Sequence, residues 1–119
     1  MIVMIETTVI AYLATALQTD HVYAERPIDP PRDYYIVELT SSSEANHLQH
    51  ATIVVQSISS DSLLRAAEMN KAMKLAMRNL ISETDVSKCQ LNSAYNFTDT
   101  STKQYRYQAV FDITYMEGE

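Results

Sequence analysis

Three groups of side chains in this 119-residue chain have types and spacings that chemistry uses. His47 and His50 form an HxxH spacing with Glu44 close by. On a helix such residues share a face and can hold one metal ion. Here the surrounding residues read as a polar loop entering a strand, where residues three apart point to opposite sides. No full ligand set accompanies them, so they read as polar loop residues. Cys89 is the only cysteine, which excludes an intrachain disulfide and a cysteine-based zinc cluster. It offers a thiol nucleophile, but no local signature pairs it with a histidine, and a lone cysteine in a strand is usually a small buried hydrophobe. Asp29, Asp33 and Glu38 are the nearest approach to a hydrolytic acid cluster. Carboxylates around prolines are normally solvated loop charges, and no partner for acid–base work is visible.

Two further groups suggest recognition. Tyr105, Arg106 and Tyr107 offer stacking surfaces for single-stranded nucleic acid. In a strand, however, Arg106 alternates to the face opposite both tyrosines, which breaks up such a platform. The net charge of −6 repels phosphate backbones, and no Lys/Arg cluster appears. An acidic group on a neighbouring copy is the expected partner of Arg106. Met69, Met73 and Met77 recur at helical spacing and read as core rather than as an adaptable binding stripe. Glycine occurs once, at Gly118, so neither a glycine-rich phosphate loop nor the usual nucleophile elbow is present. No catalytic residue, metal ligand or cofactor is expected, and the chain is not expected to be an enzyme.

These residues sit on a simple series of elements. Ile5, Val9, Tyr12, Leu13 and Ala16 predict an amphipathic helix over 4–18. The apolar run inside it is too short to span a bilayer. Glu6 stands where a signal peptide has basic residues, and no Lys or Arg precedes Arg26, so no signal peptide is expected. A short extended piece over 21–25 leads into RPIDPPRD. Its Pro27, Pro30 and Pro31 make a stiff connector, because proline fixes φ and cannot donate a backbone hydrogen bond. YYIVELT (34–40) and LQHATIVVQSIS (48–59) read as strands, with Ala51, Ile53 and Val55 on one face. SSSEANH (41–47) between them reads as a polar loop tip, too long for a tight hairpin.

Ser60, Asp61 and Ser62 supply helix-capping oxygens. The helix that follows reaches about residue 81. Leu63, Ala66, Ala67, Met73, Met77, Leu80 and Ile81 share one face. Leu64, Ala72, Leu75 and Ala76 form a second strip on roughly the opposite side. A helix on the surface of a monomer needs one apolar stripe, so two stripes imply cover on both sides. Residues 85–97 read as a further extended segment. Val86 falls on one face and Cys89, Leu91 and Tyr95 on the other, which predicts a bulge. After the TDTST turn (98–102), Tyr105, Tyr107, Ala109, Phe111, Ile113 and Tyr115 alternate with mostly polar residues, the mark of a long strand with one apolar face. The whole is one α+β domain over 1–119, a mainly antiparallel four- to five-stranded sheet with two helices in the order α-β-β-β-α-β-β.

VYAERPIDPPRDYYIVEL, the strand ATIVVQSIS running into an alanine- and methionine-rich helix, and YNFTDTSTKQYRYQAVFDITY together resemble the tail terminator, or tail completion, proteins of long-tailed phages. The likeness is to versions from phages and prophages of Gram-positive bacteria and covers nearly the whole chain. It implies a hexameric ring that caps the finished tail tube and presents a docking surface to the head connector. The implied partners are other copies of the chain, the tail tube protein and the head–tail connector proteins, with no membrane and no sequence-specific nucleic acid, although DNA passes through such a ring. The implied place is the head–tail junction of the virion, after assembly in the host cytoplasm. A head–tail connector component or a tail tube subunit is the alternative within the same virion.

A closed ring needs two different complementary patches per subunit, because its contacts run head to tail. The expected contact residues are Leu64, Ala72, Leu75 and Ala76 on the helix strip, and Tyr105, Arg106 and Tyr107 on the last strand. The sheet edge and the 41–47 segment complete the expected surface.

Overall fold

A computed structural model of the protein describes residues 5–45, 48–80, 86–98, 101 and 104–116. Its elements are α1 (Ile5–Ala16), β1 (Val22–Tyr23), β2 (Asp33–Ala45), β3 (Leu48–Ser59), α2 (Leu63–Arg78), β4 (Val86–Asn96) and β5 (Tyr105–Tyr115). They follow the expected α-β-β-β-α-β-β order. The five strands form one sheet in the order β1-β2-β3-β5-β4. Four pair antiparallel; β1, two residues long, pairs parallel with β2 at the edge.

The centre of the sheet is β3 against β5. Their register sets Ala51 opposite Ile113, Ile53 opposite Phe111 and Val55 opposite Ala109, and all six side chains are buried. Tyr35 and Val37 of β2 extend this row. Both helices pack on it: Val9 and Leu13 of α1 and Met69, Met73 and Met77 of α2 belong to the same cluster. The methionines are therefore core. Each such side chain contributes roughly 1.5–3 kcal/mol by leaving water. The Tyr12 hydroxyl donates to the Ala76 carbonyl at 2.6 Å and ties the two helices together.

The helix ends have local causes. The Ser62 side chain accepts from the Arg65 backbone N–H at 3.0 Å, capping α2. Asp33 then joins three elements. It accepts from Ser59 Oγ at 2.7 Å and from Arg65 Nε at 3.0 Å, while Ser59 Oγ accepts from the Asp61 N–H. The start of β2, the end of β3 and the first turn of α2 are fixed by this one carboxylate. At the end of α1, Gln18 takes a left-handed φ of 54°. The Thr19 N–H reaches the Ala14 carbonyl and the Gln18 N–H reaches that of Thr15, which is the paired bonding of a Schellman stop.

Three expectations need correction, and the expected bulge in β4 is borne out and extended. The polar stretch over 41–47 is not all loop: β2 continues to Ala45, with Ser41 through Glu44 paired to Thr52 through Gln49 after a bulge between Leu39 and Ser41. These residues are polar because the end of the hairpin extends past the core cluster, and Ser41–Glu44 are exposed on both faces. Leu63 does not join the buried face of α2; it is 40% exposed in the first turn, before the helix reaches the core at Ala66. Ile81 and His47 lie outside the described residues. In β4 the bulge exists, and there are two, near Val86/Lys88 and Leu91/Ser93. The first brings Val86 to the face of Cys89 and Leu91; the second moves Tyr95 to the opposite face, beside Gln108. Finally, the 21–25 extended piece contracts to the two residues of β1.

Burial gives Tyr35 a pH signature. Removal from water pushes its phenol pKa up to about 12, although the nearby Arg65 guanidinium pulls the other way. The unfolded chain ionises near 10, so this contribution to stability is complete below that pH and is lost as pH rises toward 12. Urea midpoints should fall steeply between about pH 10 and pH 12, and Tyr35→Phe should flatten part of that fall. Parallel pH profiles for the two proteins would show that Tyr35 plays no such part.

Candidate assembly surfaces

The residues that suggested chemistry are kept apart. His50 lies on the sheet face away from the helices, with Nδ1 3.1 Å from Thr114 Oγ1. Glu44 points to the other side and accepts from Gln49 Nε2 at 2.7 Å. No group of three His, Cys, Asp or Glu side chains among the described residues is placed to hold a metal ion. Asp33 is committed to Arg65 and Ser59. Glu38 is exposed on the opposite face of β2, and Asp29 is exposed on the connector. Cys89 packs against the edge of the core, and burial pushes its thiol pKa up to about 11. A shallow polar depression lined by Ser43, His50, Thr52, Lys88 and Asp112 lies at the far end of the outer face and is open to water.

The expected contact residues divide between two surfaces. On α2, Leu64 is 71% exposed and Leu75 48% exposed, and Ala72 is exposed with them. Eleven residues separate the leucines, which returns them to nearly the same angle about the helix axis. Ala76 is only half exposed; it packs on the core beside Tyr12. α2 carries four of the chain's nine basic residues; Arg65 is paired with Asp33, and Lys71, Lys74 and Arg78 accompany this stripe with Glu68, a local basic patch that was not expected. A positive leucine-bearing ridge thus stands on an acidic protein.

The last strand splits as its alternation requires. Tyr105 and Tyr107 are half-buried on the helix side, opposite the buried Ser59 and Ser57. Arg106 is on the outer face. Its guanidinium lies 5.2 Å from the centre of the Phe97 ring, a cation–π distance. Phe97 in turn meets Tyr95 edge-on at 6.1 Å. A chain of hydrogen bonds crosses the same face. Arg106 Nη1 donates to Gln56 Oε1 at 3.4 Å, Gln56 Nε2 donates to Gln108 Oε1 at 3.2 Å, and Gln108 Nε2 donates to the Tyr95 hydroxyl at 2.6 Å. The Tyr95 oxygen is the acceptor at the end of this chain. Arg106 Nε is buried and has no hydrogen-bond partner among the described residues.

Two exposed apolar residues, one on this surface and one on the connector, were not picked out from sequence. Phe97 stood at the end of a segment read only for its alternation, and its pairing with Arg106 depends on the second bulge. Ile28 is completely exposed on the connector. The connector's stiffness was legible, but not which of its side chains faces water.

No family model and no curated protein sequence matches the chain. Among solved structures, the fold is similar to that of a chain in the virion of a native gene transfer agent particle, with a TM-score of 0.58 and 19% identity over 91% of this chain and 86% of that one. The likeness shows a shared fold. No helix among the described residues is long and apolar enough to cross a membrane.

The state of Cys89 is open to measurement. With its thiol pKa near 11, native protein at neutral pH should react with iodoacetamide roughly a hundredfold more slowly than urea-unfolded protein. Equal rates would mean that the thiol is solvated or activated.

Proposed function

We propose that this protein is a structural subunit of a phage-like virion, and within it the tail terminator, a hexameric ring that caps the tail tube and joins it to the head connector. One observation carries the reading: the fold is shared, over 91% of the chain, with a component of a virion particle. The exposed Leu64 and Leu75 and the outer aromatic cluster add surface that a lone copy leaves in water. An acidic scaffold whose carboxylates are dispersed and whose one thiol is held protonated is built for binding rather than turnover. The ring belongs at the head–tail junction and is made in the host cytoplasm, with the tube protein on one side and the connector proteins on the other.

The same fold suits a head–tail connector component or a tube subunit, and behaviour separates these roles. A terminator binds the ends of preformed tubes without stacking on itself, whereas a tube subunit stacks into long tubes.

Leu75→Glu tests the interface. At 48% exposure the substitution should leave the circular dichroism spectrum unchanged and the melting temperature within a few degrees, because no core contact is lost. A glutamate must lose its water to enter an apolar contact with another copy, so ring-sized species should give way to monomers in mass photometry. A variant that still assembles, or one that unfolds, would remove Leu75 from the interface.

A further inference from the structure

We infer that one copy contacts the next through its connector tip, with Ile28 and Asp29 of the first seated on Phe97, Tyr95 and Arg106 of the second. This inference rests on the ring reading and names the contact that closes it.

The topology supplies the geometry. In the order β1-β2-β3-β5-β4, the connector 24–32 leaves β1 at one edge of the sheet, while Tyr95 lies on β4 at the other edge and Phe97 directly follows it. A contact between these two places joins different patches of identical subunits. Repeated, it runs head to tail, as a ring requires.

The chemistry matches at each point. Ile28 is completely exposed. Pro27, Pro30 and Pro31 hold the segment around it, so little freedom remains to be lost on docking. On the receiving side, Phe97 is 50% exposed and Tyr95 42% exposed, together forming an apolar seat. Arg106 stands beside that seat, its guanidinium over the Phe97 ring. Stacking on an aromatic face leaves the edge of a planar guanidinium able to take a carboxylate as well. Asp29, exposed and adjacent to Ile28, brings one to the place where the isoleucine docks. The mixture of arginine, tyrosine and phenylalanine is that of an interface hot spot. Since every copy carries a net charge of −6, the Arg106–Asp29 pair also supplies attraction between molecules that otherwise repel.

The test is a charge-swap cycle on the full chain, read by mass photometry over a dilution series. Asp29→Arg and Arg106→Asp, taken singly, should each raise the concentration at which rings dissociate by roughly tenfold or more, and the double swap should recover to within about threefold of the wild type. Ile28→Ser should weaken the ring without any change of charge. The inference is overturned if wild-type rings form and the single variants leave them unchanged. It is equally overturned if the double swap is no better than the worse single variant, or if Glu25→Arg combined with Arg106→Asp recovers assembly as well as the Asp29 swap does. Asp29→Arg and Ile28→Ser alter only exposed connector residues, so they remain decisive if Arg106→Asp fails to fold. A wild-type chain that is monomeric at every concentration would overturn the ring reading itself, a result distinct from intact rings indifferent to these substitutions.

Discussion

The pairing of β3 with β5 is the constraint on which the rest of the structure hangs. Its register aligns small and branched side chains on one face, Ala51, Ile53 and Val55 against Ile113, Phe111 and Ala109. That face takes both helices. The other face takes neither, since Tyr34, Val54 and Ile58 lie outside the cluster that contains the helices. A one-residue slip would exchange the faces and place Thr52, Gln56, Arg106, Gln108 and Asp112 under the helices, at prohibitive cost. The register is therefore strongly specified, and the outer surface is set by it.

That outer surface is organised rather than merely wet. Gln56 and Gln108 satisfy each other across the central pair, and their network ends at Arg106 on one side and Tyr95 on the other. On the opposite side of the molecule, the leucine-bearing ridge of α2 gathers Lys71, Lys74 and Arg78 in a chain that is otherwise strongly acidic. The two surfaces differ in shape and charge, which suits a subunit whose neighbours on either side meet different patches.

Much of the fold was legible because periodicity reports burial directly. The two amphipathic helices, the alternating strands and their order needed only the periods of 3.6 and 2. What escaped were features decided by long-range pairing. Three serines in a row read as a loop because polar, flexible residues normally mark one; here they are strand, since the hairpin runs beyond the helices and both its faces meet water. Leu63 read as core because the wheel of α2 says nothing about where the sheet begins beneath it. The exposure of the Leu64–Leu75 stripe follows from the same wheel, whereas the packing of Ala76 against Tyr12 depends on how α1 crosses and could not be read from either helix alone. Arg106 was correctly separated from Tyr105 and Tyr107 by alternation. Its stacking on Phe97 required knowing where β4 bulges. The buried Asn70 and Ser57 were not anticipated, because nothing local distinguishes a polar residue at a buried helical or strand position from one at the surface.

The proposed ring is open to negative-stain electron microscopy of the purified protein, where annular particles whose end-on class averages show six equal lobes around a central opening are expected. A field of separate compact particles, each no larger than the 44 × 25 × 23 Å of a single chain at concentrations well above those of assembly, would contradict it.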